Sequence, residues 1–481
     1  MLFNSFQFFF FFLVVWALFL VSRGTPRKIL LLAASYYFYM CWSTKYIFVI
    51  WAITLIDYAA GLGIERARGE RRRFYLGLSL FCNLALLFFF KYFNFVTGSI
   101  WTTAHLFGLR SDPPLLNILL PVGLSFHTFQ AMSYTIEVYR GNAPAEKSLL
   151  NYSLYVAFFP QMVAGPIERP NHLLPQFHRD PHPDFSGIRS GLTQALWGLF
   201  KKMVIADNVA DFVKQIYAAP RQYDGAELAL ATVLFSIQIY CDFSGYTDIA
   251  LGLARLMGYE LAVNFRQPYF SRSPTEFWRR WHISLSTWFR DYVYIPLGGN
   301  RVTPLRRYWN LLVTFLASGL WHGASWSFAV WGCLHGTYLI AQQEASAFAA
   351  RRGWAARLQG APAAALNGAK ILLTWSLVTV AWIYFRASTL RDAWFITWHL
   401  WPLGRLDPFV LKTGGFSRDE APVLVLAVLL LFLVDWWIAN PARVPRAWRS
   451  PVFRALCYNA CAWAIVFYGF FGHRDFIYFQ F

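Results

Sequence analysis

Residues Tyr308–Gln343 read YWNLLVTFLASGLWHGASWSFAVWGCLHGTYLIAQQ and contain no Asp, Glu, Lys or Arg. An unbroken helix of that length would reach roughly 54 Å, whereas the hydrocarbon core of a bilayer is about 30 Å thick. The stretch is therefore expected to lie in a membrane and to be broken or bent. Gly319 and Gly323 mark the place. His322 sits at that break, in the most apolar surroundings of the chain. An ionisable side chain at membrane depth is a functional-site candidate by default. An apolar environment favours the neutral imidazole, and a neutral imidazole can take the proton of an attacking hydroxyl. The structural alternative is a histidine bonded to a neighbouring helix. His335, on a different face of the same stretch, reads as that kind of residue.

The rest of the chain agrees with a lipid environment. Of its 481 residues, 57% are hydrophobic and 14% charged, and 47 are Phe. Soluble domains carry about 25% charged residues, so one soluble core cannot hide this much apolar surface. The first 22 residues carry no charged side chain, and Arg23, Arg27 and Lys28 follow. A cleaved signal peptide has the opposite order, so the start reads as a retained first span. The six cysteines lie scattered in apolar stretches without a C-x-x-C pair, as small buried hydrophobes. The net charge of +18 sits in short loops between apolar runs. It reads as topology signalling and contact with anionic lipid, with no nucleic-acid partner; an anionic ligand on the cytoplasmic face is the second reading.

Apolar runs that qualify as spans are Phe6–Val21, Ile29–Trp42, Tyr46–Ile64, Phe74–Phe90, Tyr92–Leu109, Leu115–Ile136 and Leu149–Ile167. Further along come Leu192–Ile205, Leu228–Met257, Leu311–Ala341, Ile371–Phe385, Val423–Trp437 and Ala455–Phe471. Several are short or broken, so the expectation is an all-α polytopic membrane protein with about 11 crossings plus short re-entrant and interfacial helices. It forms one membrane-embedded domain over residues 1–481. The cluster Arg66, Arg68, Arg71, Arg72 and Arg73 and the group Arg23–Lys28 face the cytoplasm if Met1 starts outside. Three soluble loops are expected: Arg169–Ile188, the basic, aromatic Asn264–Arg307, and Pro402–Ala421.

The loop Asn264–Arg307 holds the second candidate histidine. Ser273 can cap a helix, Pro274 suits its first position, and Glu276 completes a capping box. One helix from Pro274 to about Arg290 is expected. It would place Trp278, His282, Leu285 and Phe289 on one face, with Arg279 and Arg290 pointing elsewhere. A lone His on an apolar face is more often structural; the surrounding arginines argue for function. Asp242 and Asp248 lie within an apolar span, where neither stays ionised without a partner. They serve either helix-to-helix bonding or a polar wall along a substrate path. The run Phe159–Arg169, with Pro160, Gly165 and Pro166, reads as the end of a span, and His127 as structural. No phosphate-binding loop, serine elbow, HExxH pair or metal-ligand spacing is present.

Two segments resemble a known family. Arg279–Arg301, RRWHISLSTWFRDYVYIPLGGNR, is similar to the signature loop of membrane-bound O-acyltransferases, and Gly319–Trp326, GLWHGASW, to a second signature of one bacterial branch. That branch contains alginate O-acetyltransferases and D-alanine transfer proteins. The Asp242–Asp248 and Gly165-Pro166 segments, the start Leu2-Phe-Asn-Ser and the ending Phe476–Phe481 also resemble it. The resemblance spans the chain. It implies a ring of tilted helices around a central funnel and places the family's essential histidine on His322, with a second implicated position on His282. The implied donor is acetyl-CoA or an acyl carrier protein thioester, used as co-substrate with no bound cofactor or metal.

The expected activity is transfer of acetyl from a cytoplasmic thioester to a hydroxyl outside, in the O-acetylation of an exopolysaccharide such as alginate. Arg279, Arg280 and Arg290 would receive the anionic donor, and Trp278, Trp281, Trp321 and Trp326 would line its tunnel. His322 would be the general base; His282 would orient substrate or help protonate the leaving thiol. The implied partners are membrane lipids, an extracytoplasmic SGNH, esterase-like acyltransferase and a polysaccharide acceptor. The implied location is the bacterial inner membrane, crossed many times. A transporter or flippase for a saccharide or lipid precursor shares the basic loops and buried polar residues, but needs no acyl donor.

Overall fold

The structure, a computed structural model, describes residues 1–481 except 109–111, 164, 354–362, 402, 405, 415–419, 473, 475 and 480–481. Parts of the expected loop Pro402–Ala421, the break near Gly165 and the last two positions of the Phe476–Phe481 motif therefore lie outside the described residues. Among the described residues all regular structure is helical. Among the described residues five helices are long and apolar enough to cross a membrane: Ile47–Arg66, Glu70–Leu106, Gly225–Leu256, Ala364–Arg386 and Ala421–Ala439. Phe6–Val21 is a shorter apolar helix. The protein is a multi-pass membrane protein.

The chain packs as two compact units. The first comprises Met1–Ala195 and Tyr246–Ala262. Its helices are α1 (Phe6–Val21), α2 (Gly24–Met40), α3 (Ile47–Arg66), α4 (Glu70–Leu87), α5 (Phe93–Leu106), α6 (Leu124–Arg140), α7 (Leu149–Ala157) and α8 (Pro170–Phe177). Lipid tails are as apolar as leucine, so helices in a membrane are joined by close packing and polar bonds instead. The fully buried Asp57 of α3 shows this. Its carboxylate accepts from Ser79 and, at 2.8 Å, from Asn83, both on α4, while Ser79 shares a hydroxyl contact of 2.9 Å with Thr135 of α6.

Four expected spans differ from the structure. Phe74–Phe90 and Tyr92–Leu109 were expected as separate crossings, but a π-helical turn, Phe88–Tyr92, joins α4 and α5 into one rod. A π-turn absorbs an extra residue without ending a helix. Leu115–Ile136 is not one span: the chain is irregular from Leu115 to Pro121, and α6 starts after Gly123, whose φ is 75°. Pro113, Pro114 and Pro121 lack the N–H that a helix needs. Leu149–Ile167 stops as a helix at Ala157, with Pro160 and Pro166 beyond it. Arg169–Ile188 is likewise partly helical through α8. There the buried Glu168 accepts the Ala262 N–H at 2.6 Å and lies 2.7 Å from His172 Nδ1.

The second unit comprises Leu196–Gly245 and Val263–Phe481. It holds a π-helical turn at Phe200–Ala206, then α10 (Asp207–Ala218), counting Phe185–Leu199 as α9, and the larger part of α11 (Gly225–Leu256). Further on are α12 (Pro274–Trp278), α13 (Ile283–Phe289), α14 (Pro304–His322), α15 (Trp326–Arg351) and the helix Ala363–Arg386. The uncharged stretch that opened the sequence reading is indeed broken, at Gly323–Ser325. The two halves fold back together because glycine lets the backbones touch. A Cβ on Gly319 would lie 2.2 Å from the Phe328 carbonyl oxygen, and one on Gly332 would lie 2.3 Å from that of Phe315.

Candidate active site

Every side chain of the candidate centre belongs to the second unit. The single helix expected from Pro274 to Arg290 does not form. Ser273 does cap α12, accepting from Glu276 N at 3.2 Å, and the Glu276 carboxylate turns back to the Arg272 N–H at 2.8 Å. The helix then stops at Trp278. The N–H groups of Arg280 and Trp281 both bond the Phe277 carbonyl, and His282 enters the left-handed region with φ 42°. For a non-glycine residue that conformation costs about 1–2 kcal/mol, so its surroundings must enforce it. Asn264 does so. Its carbonyl accepts the Ile283 N–H at 3.0 Å, and its Oδ1 accepts Ser284 N at 3.2 Å and Ser284 Oγ at 2.6 Å.

The same Oδ1 lies 3.4 Å from His282 Nδ1. The bonds from Ser284 fix that atom as an oxygen acceptor, so Nδ1 carries the hydrogen and Nε2 the lone pair. The expectation that Asn264–Arg307 is a soluble loop is also corrected. Trp278, Trp281, His282, Leu285, Trp288 and Phe289 are all buried, because this much aromatic surface is stable only when packed.

His322 closes α14, and the chain turns at Gly323 before α15 begins. Its imidazole is 3% exposed and His282 is fully buried. The two ring centroids lie 6.3 Å apart. Aromatic rings enclose them: Trp331 lies 4.9 Å from His322, Phe385 5.3 Å and Tyr478 5.5 Å, while Phe243 lies 4.7 Å from His282. Trp321 borders both imidazoles. Two rings at that spacing are too far apart for a direct hydrogen bond, which needs heavy atoms within about 3.2 Å. They are close enough to address one small polar group from two sides.

The other candidate residues are dispersed. Trp281 stacks among Phe277, Tyr269 and Trp382. Trp278 donates from Nε1 to His335 Nδ1 at 3.2 Å, which gives His335 the structural partner expected of it. Trp326 is 60% exposed. Arg280 pairs with Glu276 at 2.6 Å; Arg279 and Arg290 are exposed, Arg290 with Asp291 at 2.7 Å. Partial burial pushes the Glu276 carboxyl up, but the Arg272 N–H and the guanidinium groups of Arg280 and Arg272 outweigh it and hold the group below its ordinary value. Asp242 pairs with Lys202 at 2.7 Å and accepts the Ile477 N–H at 2.7 Å. Asp248, in the first unit, accepts from Gln194 at 2.9 Å.

Five neighbours of the histidines were not singled out from the sequence: Phe243, Asn264, Trp331, Phe385 and Tyr478. Phe243 follows Asp242 directly, and Tyr478 lies in the terminal motif already noted. Contact across such long stretches of chain leaves no local pattern.

Comparison with known proteins decides the family. The sequence profile of the MBOAT, membrane-bound O-acyltransferase family, matches residues 44–385, which include both histidines. A Pseudomonas aeruginosa protein named probable alginate O-acetylase AlgI is 39% identical over 444 residues, covering 90% of this chain and 81% of that protein. The chain belongs to the membrane-bound O-acyltransferase family. The acyltransferase is also 34% identical over 399 residues to the peptidoglycan O-acetyltransferase of Helicobacter pylori, covering 76% of this chain and 72% of the relative. Similarity to the teichoic acid D-alanyltransferase of Streptococcus thermophilus is 29% over 245 residues, covering 48% of this chain and 58% of that protein. As an O-acyltransferase, this protein takes an acyl donor and an oxygen acceptor.

Proposed function

We propose that this acyltransferase moves an acetyl group from a thioester, on CoA or an acyl carrier protein, to a hydroxyl of an exopolysaccharide such as alginate or of a protein that passes it on. The similarity to relatives named alginate O-acetylases supports the polymer class. The single observation that carries the chemistry is the pairing of His322 and His282 within one aromatic enclosure.

In this reading His322 takes the proton of the acceptor hydroxyl as its oxygen attacks the thioester carbonyl. The tetrahedral intermediate collapses, the carbon–sulfur bond breaks, and the departing sulfur regains a proton from the imidazolium. His282, its Nδ1 hydrogen turned towards Asn264, holds the substrate oxygen or assists that protonation. The aromatic enclosure keeps out water, which would otherwise hydrolyse the thioester. Access then requires the enclosing side chains to move aside. The basic segment with Arg279, Arg280 and Arg290 meets the anionic donor from the cytoplasm, and the protein resides in the bacterial inner membrane. An extracytoplasmic esterase-like partner hands the group to the polymer.

The test is transfer of radiolabelled acetyl from CoA or a carrier protein to a hydroxylated acceptor. Membranes carrying the parent protein are compared with membranes carrying His322→Ala at equal abundance. Parent activity that survives in the variant would remove His322 from the mechanism; no acetyl transfer by the parent would remove the reading itself.

A further inference from the structure

Lys202 lies on the π-helical turn Phe200–Ala206 with its side chain only 5% exposed. Its Nζ stands 2.9 Å from an Asp207 carboxylate oxygen and 2.7 Å from one of Asp242, and those side chains are 3% and 4% exposed. One cation between two carboxylates leaves a net negative charge in a buried place, which is costly unless compensated. Lys201 and Asp435, buried alongside through Tyr240, add one charge of each sign and do not change the balance.

The compensating cation comes from the far end of the chain. Arg474 donates to the Asp207 carbonyl and to the Asp211 carboxylate, with its side chain 16% exposed. Asp211 is 60% exposed and keeps its charge in contact with solvent. The buried Lys202, Asp207 and Asp242 together with the partly buried Arg474 then balance in charge. The π-turn and α10 tie down the C-terminal segment at two more points, and Asp242 of α11 at a third. Asn208 Nδ2 donates to the Tyr468 carbonyl at 2.8 Å, Phe470 N donates to the Met203 carbonyl at 3.1 Å, and Ile477 N donates to Asp242 Oδ2 at 2.7 Å.

The next residue after Ile477 is Tyr478. Its ring lies 5.5 Å from His322, 6.4 Å from His282 and 4.6 Å from Phe243. Asp242 therefore touches Lys202 with one oxygen and the backbone beside Tyr478 with the other. We propose that Lys202, Asp207, Asp242 and Arg474 form an electrostatic latch that holds the C-terminal segment Phe476–Tyr478 against the two histidines. These four are positioning residues for acyl transfer and touch no reacting atom. The latch completes the wall around the imidazoles only while Arg474 is docked. It rests on the reading that the histidine pair is the reacting centre.

The experiment uses the full chain in membranes and two readouts. The first is steady-state acetyl transfer by Arg474→Ala and Arg474→Lys at parental abundance. Since a misplacement of about 1 Å can cost on the order of 10²-fold, Arg474→Ala should lose at least about tenfold in kcat with the donor KM unchanged, and Arg474→Lys should recover part of it. The second is maleimide labelling of Ile477→Cys, quantified at that position by mass spectrometry. The thiol should be protected with Arg474 present and labelled in the Arg474→Ala background. Parental kcat in Arg474→Ala, or a thiol equally protected in both backgrounds, overturns the latch. Asp242→Asn should behave as Arg474→Ala does. If it fails to accumulate, the Arg474 pair decides, because those variants leave the Lys202–Asp242 contact in place. Absence of acetyl transfer by the parent counts against the functional reading, and the labelling still decides the latch.

Discussion

The imidazole of His322 lies 6.3 Å from that of His282, although one ends α14 and the other occupies a left-handed turn ahead of α13. Each helical element alone presents a single histidine to an apolar surface. Together, with Trp321, Phe243, Phe385 and Tyr478 around them, they form one buried cluster of two imidazoles enclosed by aromatic rings.

Replacing His322 by Ala should lower acyl transfer by about 10²–10⁴-fold, the range general-base help supplies. Abundance in the membrane should be preserved, since the imidazole sits beside the natural break in the helix. Initial rates with labelled donor, normalised to protein, check this.

Two substitutions at His282 separate its backbone from its ring. Glycine accepts a φ of 42° without strain, so His282→Gly should stay folded yet lose activity. His282→Val should lower stability as well, because β-branched residues resist that region. Thermal unfolding of the detergent-solubilised protein, measured beside activity, distinguishes the two losses. Equal unfolding temperatures for both variants would show that the turn is not under constraint.

Asn264→Ala should weaken the same turn from the other side. It removes the acceptor for Ser284 N and Oγ and the neighbour of His282 Nδ1. Leaving buried donors unsatisfied costs about 1–3 kcal/mol. A fall in unfolding temperature together with reduced acyl transfer is the expected outcome.

At Gly332 a valine would press its Cβ against the Phe315 backbone. Overpacking of this kind costs about 1–3 kcal/mol, and here it would pry apart the helix pair that carries His322. Gly332→Val should reduce both membrane abundance and activity, whereas Gly368→Val, where a Cβ meets nothing within 4 Å, should reduce neither.

His172 supplies a pH dependence. Its hydrogen bond to Glu168 is the main cause that raises its pKa above the ordinary value of 6.5, against partial desolvation. A raised folded-state pKa means stabilisation that is fully present below the unfolded pKa and fades as pH climbs through the folded one. The parent protein should therefore lose part of its thermal stability as pH rises above about 6.5, and His172→Gln should flatten that part of the profile. A profile identical in both proteins would exclude the pair as its source.

Much of this was legible in the residues. The uncharged run Tyr308–Gln343 announced both a membrane setting and a break at Gly323, because helix length and bilayer thickness are fixed quantities. The capping sequence Ser273-Pro274-Thr275-Glu276 announced the start of α12. Its end was not legible. Nothing local marks Trp278 as the last residue, and the turn at His282 is imposed by Asn264, whose three bonds form only after the loop has folded back. The joined helices α4 and α5 failed for a related reason, since a π-turn leaves no distinct composition behind.

The sequence by itself determined the solvent, the helical class, the family and the two histidines, since hydrophobicity, periodicity and signature segments are properties of neighbouring residues. Tertiary structure alone decided that Asp242 bonds the backbone beside Tyr478, that Lys202 and Arg474 share one buried charge balance, and that Trp326 faces outward. Those facts depend on which distant segments share a desolvated space. Within it a charge or a strained turn persists only when partners from elsewhere in the chain arrive to hold it.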